Sequence, residues 1–333
     1  MSDVYSELAE RVGAPESPLL RQIFSRLLET REAEMLLALP QPVEELAARF
    51  EMTPAEVEAK LDEFVRKGVA IPSRKGGVFC VRDLVQFHDA SVHAVACQRF
   101  EPVPDDLMEL WQRWRETDWP ESARDEKLVG PMRSRVLPLH GAVKDRVDLP
   151  SHDDLRTIID SAARLGVVQC PCRAHRVQRG ECDKPVEVCL QLRDGAVQYV
   201  LDRGTGREIS REEALRILER AEEAGLVPTS NEDTSDVRFL CFCCADCCMF
   251  VRPTLMHGVN LVVKGGFRAC VEPEACTGCQ DCVERCQFEA IAMQPQAGSK
   301  KLKAHVDTGK CWGCGACVVK CGPNAIRFER IVP

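Results

Sequence analysis

The chain has 333 residues, enough for two or three domains of ordinary size. Hydrophobic residues make up 45% of it and charged residues 29%, which predicts a globular protein with a substantial core. Its 44 Lys and Arg are outnumbered by 52 Asp and Glu, and the net charge of −8 disfavours nucleic acid as the default partner, because binding to phosphates needs a cationic face.

The chain contains 20 cysteines, unevenly distributed. No apolar run is long enough to span a membrane, and the N-terminal residues lack the basic and apolar segments of a secretion signal. These features predict a cytoplasmic protein. In a reducing compartment, clustered cysteines indicate metal or redox chemistry before disulfides.

The first predicted domain spans residues 1–82 and begins with helices. Leu19, Ile23 and Leu27 repeat at helical spacing, and a second short helix is predicted from Val43. A third helix begins after Thr53, which is followed by a proline and then by a glutamate at the capping-box position. This helix is expected to end at glycine 68.

The segment after this third helix predicts a β-hairpin with a basic tip at Ser73–Gly77. A helix–turn–helix followed by such a hairpin resembles the winged-helix fold over residues 17–82. The resemblance implies DNA binding through the third helix, but the N-terminal turn of that helix is acidic. A protein-docking role is therefore favoured over nucleic-acid binding.

Residues 83–135 are predicted to form a helical connector. Its apolar positions, which fit one helix face, are Leu107, Leu110, Trp111 and Trp114. The tryptophans are expected to pack in a core. Cys80 and Cys97, isolated from the other cysteines, are interpreted as ordinary buried thiols.

Residues 136–269 are predicted to form a central α/β domain rich in cysteine. The pattern places a strand at 167–169, a helix from Pro185 that carries Cys189, and a strand at 196–201. A further helix is expected after Ser210, whose side chain can cap it.

The first central cysteine group comprises Cys170, Cys172, Cys182 and Cys189. Four cysteines match the number that one thiolate-ligated iron–sulfur cluster needs. Zinc is the rival, because Cys₄ and Cys₃His are normal zinc sites and His175 lies nearby in the sequence. The C-x-C spacing favours iron–sulfur over zinc.

The second central cysteine group comprises Cys241, Cys243, Cys244, Cys247 and Cys248. If this segment were helical, the last four would share one face. Five thiols exceed the needs of one tetrahedral zinc ion. They predict a multinuclear centre, formed alone or together with the first group, and the spacing does not decide which thiol binds which metal.

Two runs with the spacing C-x₂-C-x₂-C-x₃-C lie in residues 270–333, the predicted C-terminal domain. They begin at Cys276 and Cys311, an interval of 35 residues that indicates an internal duplication. Each run resembles the bacterial two-cluster ferredoxins. The resemblance implies a 2[4Fe-4S] domain in which the fourth cysteine of each run binds the cluster of the other run.

By this resemblance, the eight cysteines divide into two ligand sets. The first C-terminal set is Cys276, Cys279, Cys282 and Cys321, and the second C-terminal set is Cys311, Cys314, Cys317 and Cys286. The chain departs from the family at the proline that follows each fourth cysteine: Gln287 stands there in the first run, and Pro323 is displaced by one residue in the second. Cys270 is left without a predicted role.

Residues 136–333 also resemble a group of larger 4Fe-4S ferredoxin-type proteins of anaerobes, through the C-P-C-R segment at 170–173, the cysteine-rich segment at 241–248 and the two C-terminal runs. The predicted fold class is thus α+β and multidomain: a winged helix, a central α/β domain and a ferredoxin-like domain. The implied cofactors are two [4Fe-4S] clusters and one or two more upstream.

The favoured function is a relay of low-potential electrons through these clusters to or from a protein redox partner, as a subunit of an oxidoreductase. No flavin or nicotinamide motif is present. One alternative is a reductase with an unusual cluster at 241–248 as its active site. Another is a redox-responsive DNA-binding regulator that uses the winged helix.

Overall fold

The computed structural model describes residues 3–73 and 76–331. The helices are α1 (Val4–Arg11), α2 (Pro18–Leu27), α3 (Thr30–Leu37), α4 (Val43–Arg49), α5 (Pro54–Lys67), α6 (Leu84–Ala96), α7 (Leu107–Glu116), α8 (Asp118–Ser122), α9 (Glu126–Val129), α10 (His140–Val143), α11 (Leu155–Ser161), α12 (Pro171–Gln178), α13 (Asp194–Asp202), α14 (Arg211–Glu223), α15 (Val251–His257), α16 (Asp281–Arg285) and α17 (Ala316–Lys320). Within these ranges no helix has the length and apolar character that crossing a membrane requires.

The strands are β1 (Ala70–Pro72), β2 (Val78–Cys80), β3 (Ser134–Val136), β4 (Gly166–Gln169), β5 (Glu187–Gln191), β6 (Gly206–Glu208), β7 (Val227–Asn231), β8 (Phe239–Cys243), β9 (Val262–Val263), β10 (Phe267–Val271), β11 (Ile291–Gln294), β12 (Lys303–Val306) and β13 (Ile326–Arg330). The chain divides into two compact units. Unit 1 contains residues 1–128, 171–181 and 198–207, and unit 2 contains residues 129–170, 182–197 and 208–333.

Three of the N-terminal helices lie where the sequence predicts them. Helix α5 has the predicted capping box: Thr53 Oγ1 accepts a hydrogen bond from the Glu56 N–H, and the Glu56 side chain accepts one from the Thr53 N–H. It ends at Gly68 in the left-handed conformation. Helix α3, between the first and second predicted helices, was not expected. The basic side chains predicted at the hairpin tip, Arg74 and Lys75, lie outside the described residues.

The two lysines of α5 are paired with carboxylates. Lys60 Nζ lies 2.6 Å from carboxylate oxygens of both Glu32 and Glu63, and Lys67 Nζ lies 2.6 Å from Glu63. These contacts neutralise the two lysines of the helix that the winged-helix resemblance would place in a DNA groove.

An aromatic core in unit 1 forms where α2, α6 and α7 meet. Trp111 and Trp114 are buried on α7 with ring centroids 5.3 Å apart, and Phe87 of α6 lies 5.0 Å from Trp111 and stacks on Phe24 of α2 at 4.2 Å. The prediction that the tryptophans pack in a core is confirmed.

Unit 2 is built on a mixed sheet in which its strands have the order β4-β5-β8-β7-β3-β9. Neighbouring strands are antiparallel from β4 through to β3, and β3 pairs with β9 in parallel. Buried side chains of α11 and α14 pack with apolar residues of β4, β5 and β8 in one hydrophobic cluster. This sheet positions the central cysteines.

Two predicted elements of the central region are wrong. Cys189 lies on strand β5, not on a helix from Pro185, and residues predicted as a strand at 196–201 lie in helix α13. In strand β5, Val188, Cys189 and Leu190 are all buried. The sequence of this strand is therefore a continuous apolar run, without the alternation of apolar and polar residues that marks a half-exposed strand. The pattern therefore gave no signal that separates a strand from a helix.

The duplication of the C-terminal residues is visible in the backbone. The 35-residue interval relates α16 to α17, and it relates Gly278 (φ +78°) to Gly313 (φ +71°). A Cβ atom on Gly313 would lie 2.3 Å from the carbonyl oxygen of Phe267, so this loop requires glycine. Two antiparallel pairs, β10 with β13 and β11 with β12, flank the two repeats.

Candidate metal centres

The first C-terminal set lines a small pocket in unit 2. Its four cysteines, Cys276, Cys279, Cys282 and Cys321, all line this pocket, although the last comes from the second repeat. Burial, together with the neighbouring thiols of the other three, raises the pKa of Cys282 to about 11. Cys321, from the second repeat, thus lies near the three cysteines of the first repeat.

The second C-terminal set is also brought together. Cys311 and Cys314 precede α17, Cys317 lies on it, and Cys286 comes from the first repeat. Burial and the neighbouring Cys286 and Cys311 raise the pKa of Cys314 to about 12. The pKa of Cys317 is raised well above its usual value by burial and by these same thiols.

The fourth cysteines of the two runs accept equivalent hydrogen bonds. The Ala290 N–H donates to Cys286 Sγ at 3.4 Å, and the Ala325 N–H donates to Cys321 Sγ at 3.2 Å. Both donors lie four residues after the cysteine, 35 residues apart in the chain. Hydrogen bonds to sulfur stabilise the thiolate and raise the reduction potential of a bound cluster.

The central cysteines of unit 2 separate into two groups. The first group has four thiols. Within it, Cys189 Sγ on β5 lies 3.8 Å from Cys241 Sγ on β8. The hydrogen bond with Cys189, then burial, and the neighbouring thiols of Cys243 and Cys170 raise the pKa of Cys241. We call Cys241 and these three neighbours, Cys170, Cys189 and Cys243, the four-thiol group.

The three-thiol group consists of Cys182, Cys244 and Cys247, whose sulfur atoms all lie within 4.8 Å of one another. The 241–248 segment is a strand followed by a turn, not a helix. Since side chains alternate along a strand, Cys241 and Cys243 share one side of β8, while Cys244 belongs to the turn that follows. The adjacent residues Cys243 and Cys244 therefore belong to different groups. The spacing of the cysteines in the sequence did not predict this division.

Three further cysteines are not assigned to these sets. Cys172 lies on α12 in unit 1, where its carbonyl oxygen accepts a hydrogen bond from Arg115 Nη1 at 2.8 Å. Cys248 Sγ accepts hydrogen bonds from the Phe250 and Val251 N–H groups. The thiol of Cys270, on β10, donates to Glu329 Oε2 at 3.2 Å.

Gln287, at the position where the ferredoxin family has proline, joins the first run to the central part of unit 2. Its side-chain amide donates to the Gly225 carbonyl oxygen, and its Oε1 accepts from the Ala245 N–H at 2.7 Å. Beside it, the Arg285 guanidinium donates to two carbonyl oxygens at the C-terminal end of α14. Sequence reasoning noted the departure from proline but missed this contact.

We expect the substitution Gln287→Ala to lower the free energy of unfolding by about 1–3 kcal/mol, because it leaves the partly buried Ala245 N–H and Gly225 C=O without this partner. Thermal unfolding followed by circular dichroism measures the effect. The matched control is Gln294→Ala, at an exposed end of β11, which should change stability by less than about 0.5 kcal/mol. Equal stability of the two variants would show that the Gln287 contacts contribute nothing.

Residues 275–325 match the family model of a 4Fe-4S dicluster domain. The match includes all eight cysteines of the two C-terminal sets. No curated protein matches the chain. The C-terminal part of this cysteine-rich chain is therefore a 4Fe-4S dicluster domain, and it supports an iron–sulfur electron-transfer role.

The thiol sets fit such clusters chemically. In the first C-terminal set, four sulfur ligands line one pocket, which suits a cubane with one thiolate on each iron. Buried thiols that raise one another's pKa resist ionisation when no cation is present. A bound cluster replaces their protons, so cluster binding and the folding of these loops are coupled.

Proposed function

We propose that the protein relays electrons through two [4Fe-4S] clusters in its C-terminal domain and a third cluster in the central part of unit 2. The first and second C-terminal sets would hold the first two clusters, and the four-thiol group would hold the third. The observation that carries the proposal is the dicluster match, in which every cysteine needed for two cubanes is present. Each cluster, when bound, takes up and releases one electron.

The chain offers a continuous path between the second C-terminal set and the four-thiol group. Cys286 is followed directly by Gln287, whose Oε1 accepts the hydrogen bond from Ala245 at 2.7 Å. Ala245 is joined through Cys244 to Cys243 by the backbone. Covalent bonds and one hydrogen bond therefore connect a ligand of one proposed cluster to a ligand of another.

The charge of the C-terminal domain supports a fixed redox subunit. Residues 270–333 carry eight Lys and Arg and seven Asp and Glu, so this domain is nearly neutral. Without a strong field to steer a diffusing partner, it suits electron exchange within a stable complex. We therefore propose a protein redox partner, which would supply the substrate chemistry. The paired lysines of α5 give no support to the DNA-binding alternative.

An anaerobic electrochemical titration of the full chain tests this function. The visible absorption of the clusters should bleach on reduction and return on oxidation, over several cycles, because electron carriers must be reversible. Reduced protein should also pass its electrons to an oxidised bacterial two-cluster ferredoxin. Clusters that decay on the first reduction, or that exchange no electrons with the acceptor, would contradict the proposal.

A further inference from the structure

The three-thiol group has a geometry different from that of the proposed cluster sites. The sulfur atoms of Cys182, Cys244 and Cys247 all lie within 4.8 Å of one another. Among residues 3–73 and 76–331, no other set of three or more His, Cys, Asp or Glu ligand atoms is found this close together. Cys244 and Cys247 are each 1% exposed, and Cys182 is half-buried.

This spacing is that of ligands to one ion. A Zn–S bond is about 2.3 Å long, so two sulfurs on one zinc ion stand at most about 4.6 Å apart, and about 3.8 Å apart in a tetrahedron. In a cubane each thiolate binds a different iron atom, and the sulfurs are held farther apart than two bonds to a common ion allow. The three-thiol group therefore needs only a small contraction to surround a single ion.

The local chain geometry supports the same conclusion. Cys244 and Cys247 have the C-x₂-C spacing of a zinc knuckle, on a turn closed by the hydrogen bond from the Cys248 N–H to the Cys244 carbonyl oxygen at 3.1 Å. Cys182 lies in the loop between α12 and β5. The two segments are far apart in sequence and come together at the edge of the hydrophobic cluster of unit 2.

We propose that Cys182, Cys244 and Cys247 bind a single Zn²⁺ ion, separate from the iron–sulfur clusters. Thiolate ligands select zinc among the common divalent ions, and zinc has no redox chemistry of its own. The ion would join the 182 loop to the turn that Gln287 contacts, and so fix the path between the clusters. Three thiolates leave one position of a tetrahedral ion for a further ligand.

Metal analysis of the full chain, purified anaerobically after cluster assembly, tests this site. We expect one zinc per chain in the natural protein. The substitution Cys247→Ser should remove the zinc and leave the iron content unchanged. The control is Cys97→Ser, a cysteine of unit 1 whose thiol lies against the Thr205 carbonyl oxygen, and it should change neither metal.

Two results would overturn the proposal: absence of zinc from the natural protein, or a loss of about four iron atoms with the zinc retained in Cys247→Ser. If that variant does not fold, Cys182→Ser, on a half-buried loop position, gives the same comparison. In the natural protein, Co²⁺ exchanged for zinc should show thiolate-to-cobalt absorption and tetrahedral cobalt bands. Zinc without iron would contradict the proposed function alone, and iron without zinc would contradict the zinc site alone.

Discussion

Replacing Cys282 by alanine is expected to destroy one intact [4Fe-4S] cluster in the C-terminal domain. Cys282 is 8% exposed and lies among the thiols of Cys276, Cys279 and Cys321, so no solvent molecule easily takes its place. A cubane that loses one thiolate loses either one iron or the whole cluster, which lowers the iron content by about one to four atoms per chain. In the reduced protein, the integrated electron paramagnetic resonance signal should fall by about one spin per chain.

The matched control is Cys270→Ala. Cys270 lies six residues before the first run, but its thiol donates to Glu329 and belongs to neither ligand set. This variant should keep its iron and its full signal. If Cys282→Ala also kept both, or if Cys270→Ala lost as much iron, the assignment of the first C-terminal set would be wrong.

Replacing Trp111 by alanine is expected to cause the largest loss of stability in unit 1. The side chain is 1% exposed and contacts Phe87, His88 and Trp114 with ring centroids 5.0 to 5.3 Å away. Removing a buried tryptophan costs about 3–5 kcal/mol, through lost burial and the cavity that remains. For a unit of this size, the thermal midpoint should fall by about 10 °C.

Thermal unfolding followed by circular dichroism measures this effect, with iron content recorded in parallel. The control is Phe79→Ala on β2, where the ring is 40% exposed and the expected change is small. If the Trp111→Ala variant had the same thermal midpoint as the natural protein, the proposed contribution of the aromatic core to stability would be wrong.

Features that rest on short-range physics could be predicted from the sequence. The capping box of Thr53 and Glu56 and the apolar face of α7 involve residues within a few positions of one another, and both are found. The 35-residue duplication is likewise visible in the sequence, and it appears in the structure as the related helices α16 and α17.

Features that rest on long-range contacts could not be predicted in this way. The buried run around Cys189 fits a strand or a helix equally well until its partner β8 is known. The grouping of the central cysteines depends on the pairing of β5 with β8 and on the approach of the Cys182 loop to the turn at Cys244. The role of Gln287 depends on two backbone groups more than 40 residues away.

Binding of two electron-carrying [4Fe-4S] clusters by the C-terminal cysteines is tested most directly by iron and acid-labile sulfide analysis of the anaerobically purified protein. Electron paramagnetic resonance of the reduced form completes this measurement. We expect about 12 iron and 12 sulfide per chain, of which about eight belong to the C-terminal domain, and signals of reduced clusters that interact magnetically. A protein that binds zinc but no iron, or that shows no signal on reduction, would contradict the claim.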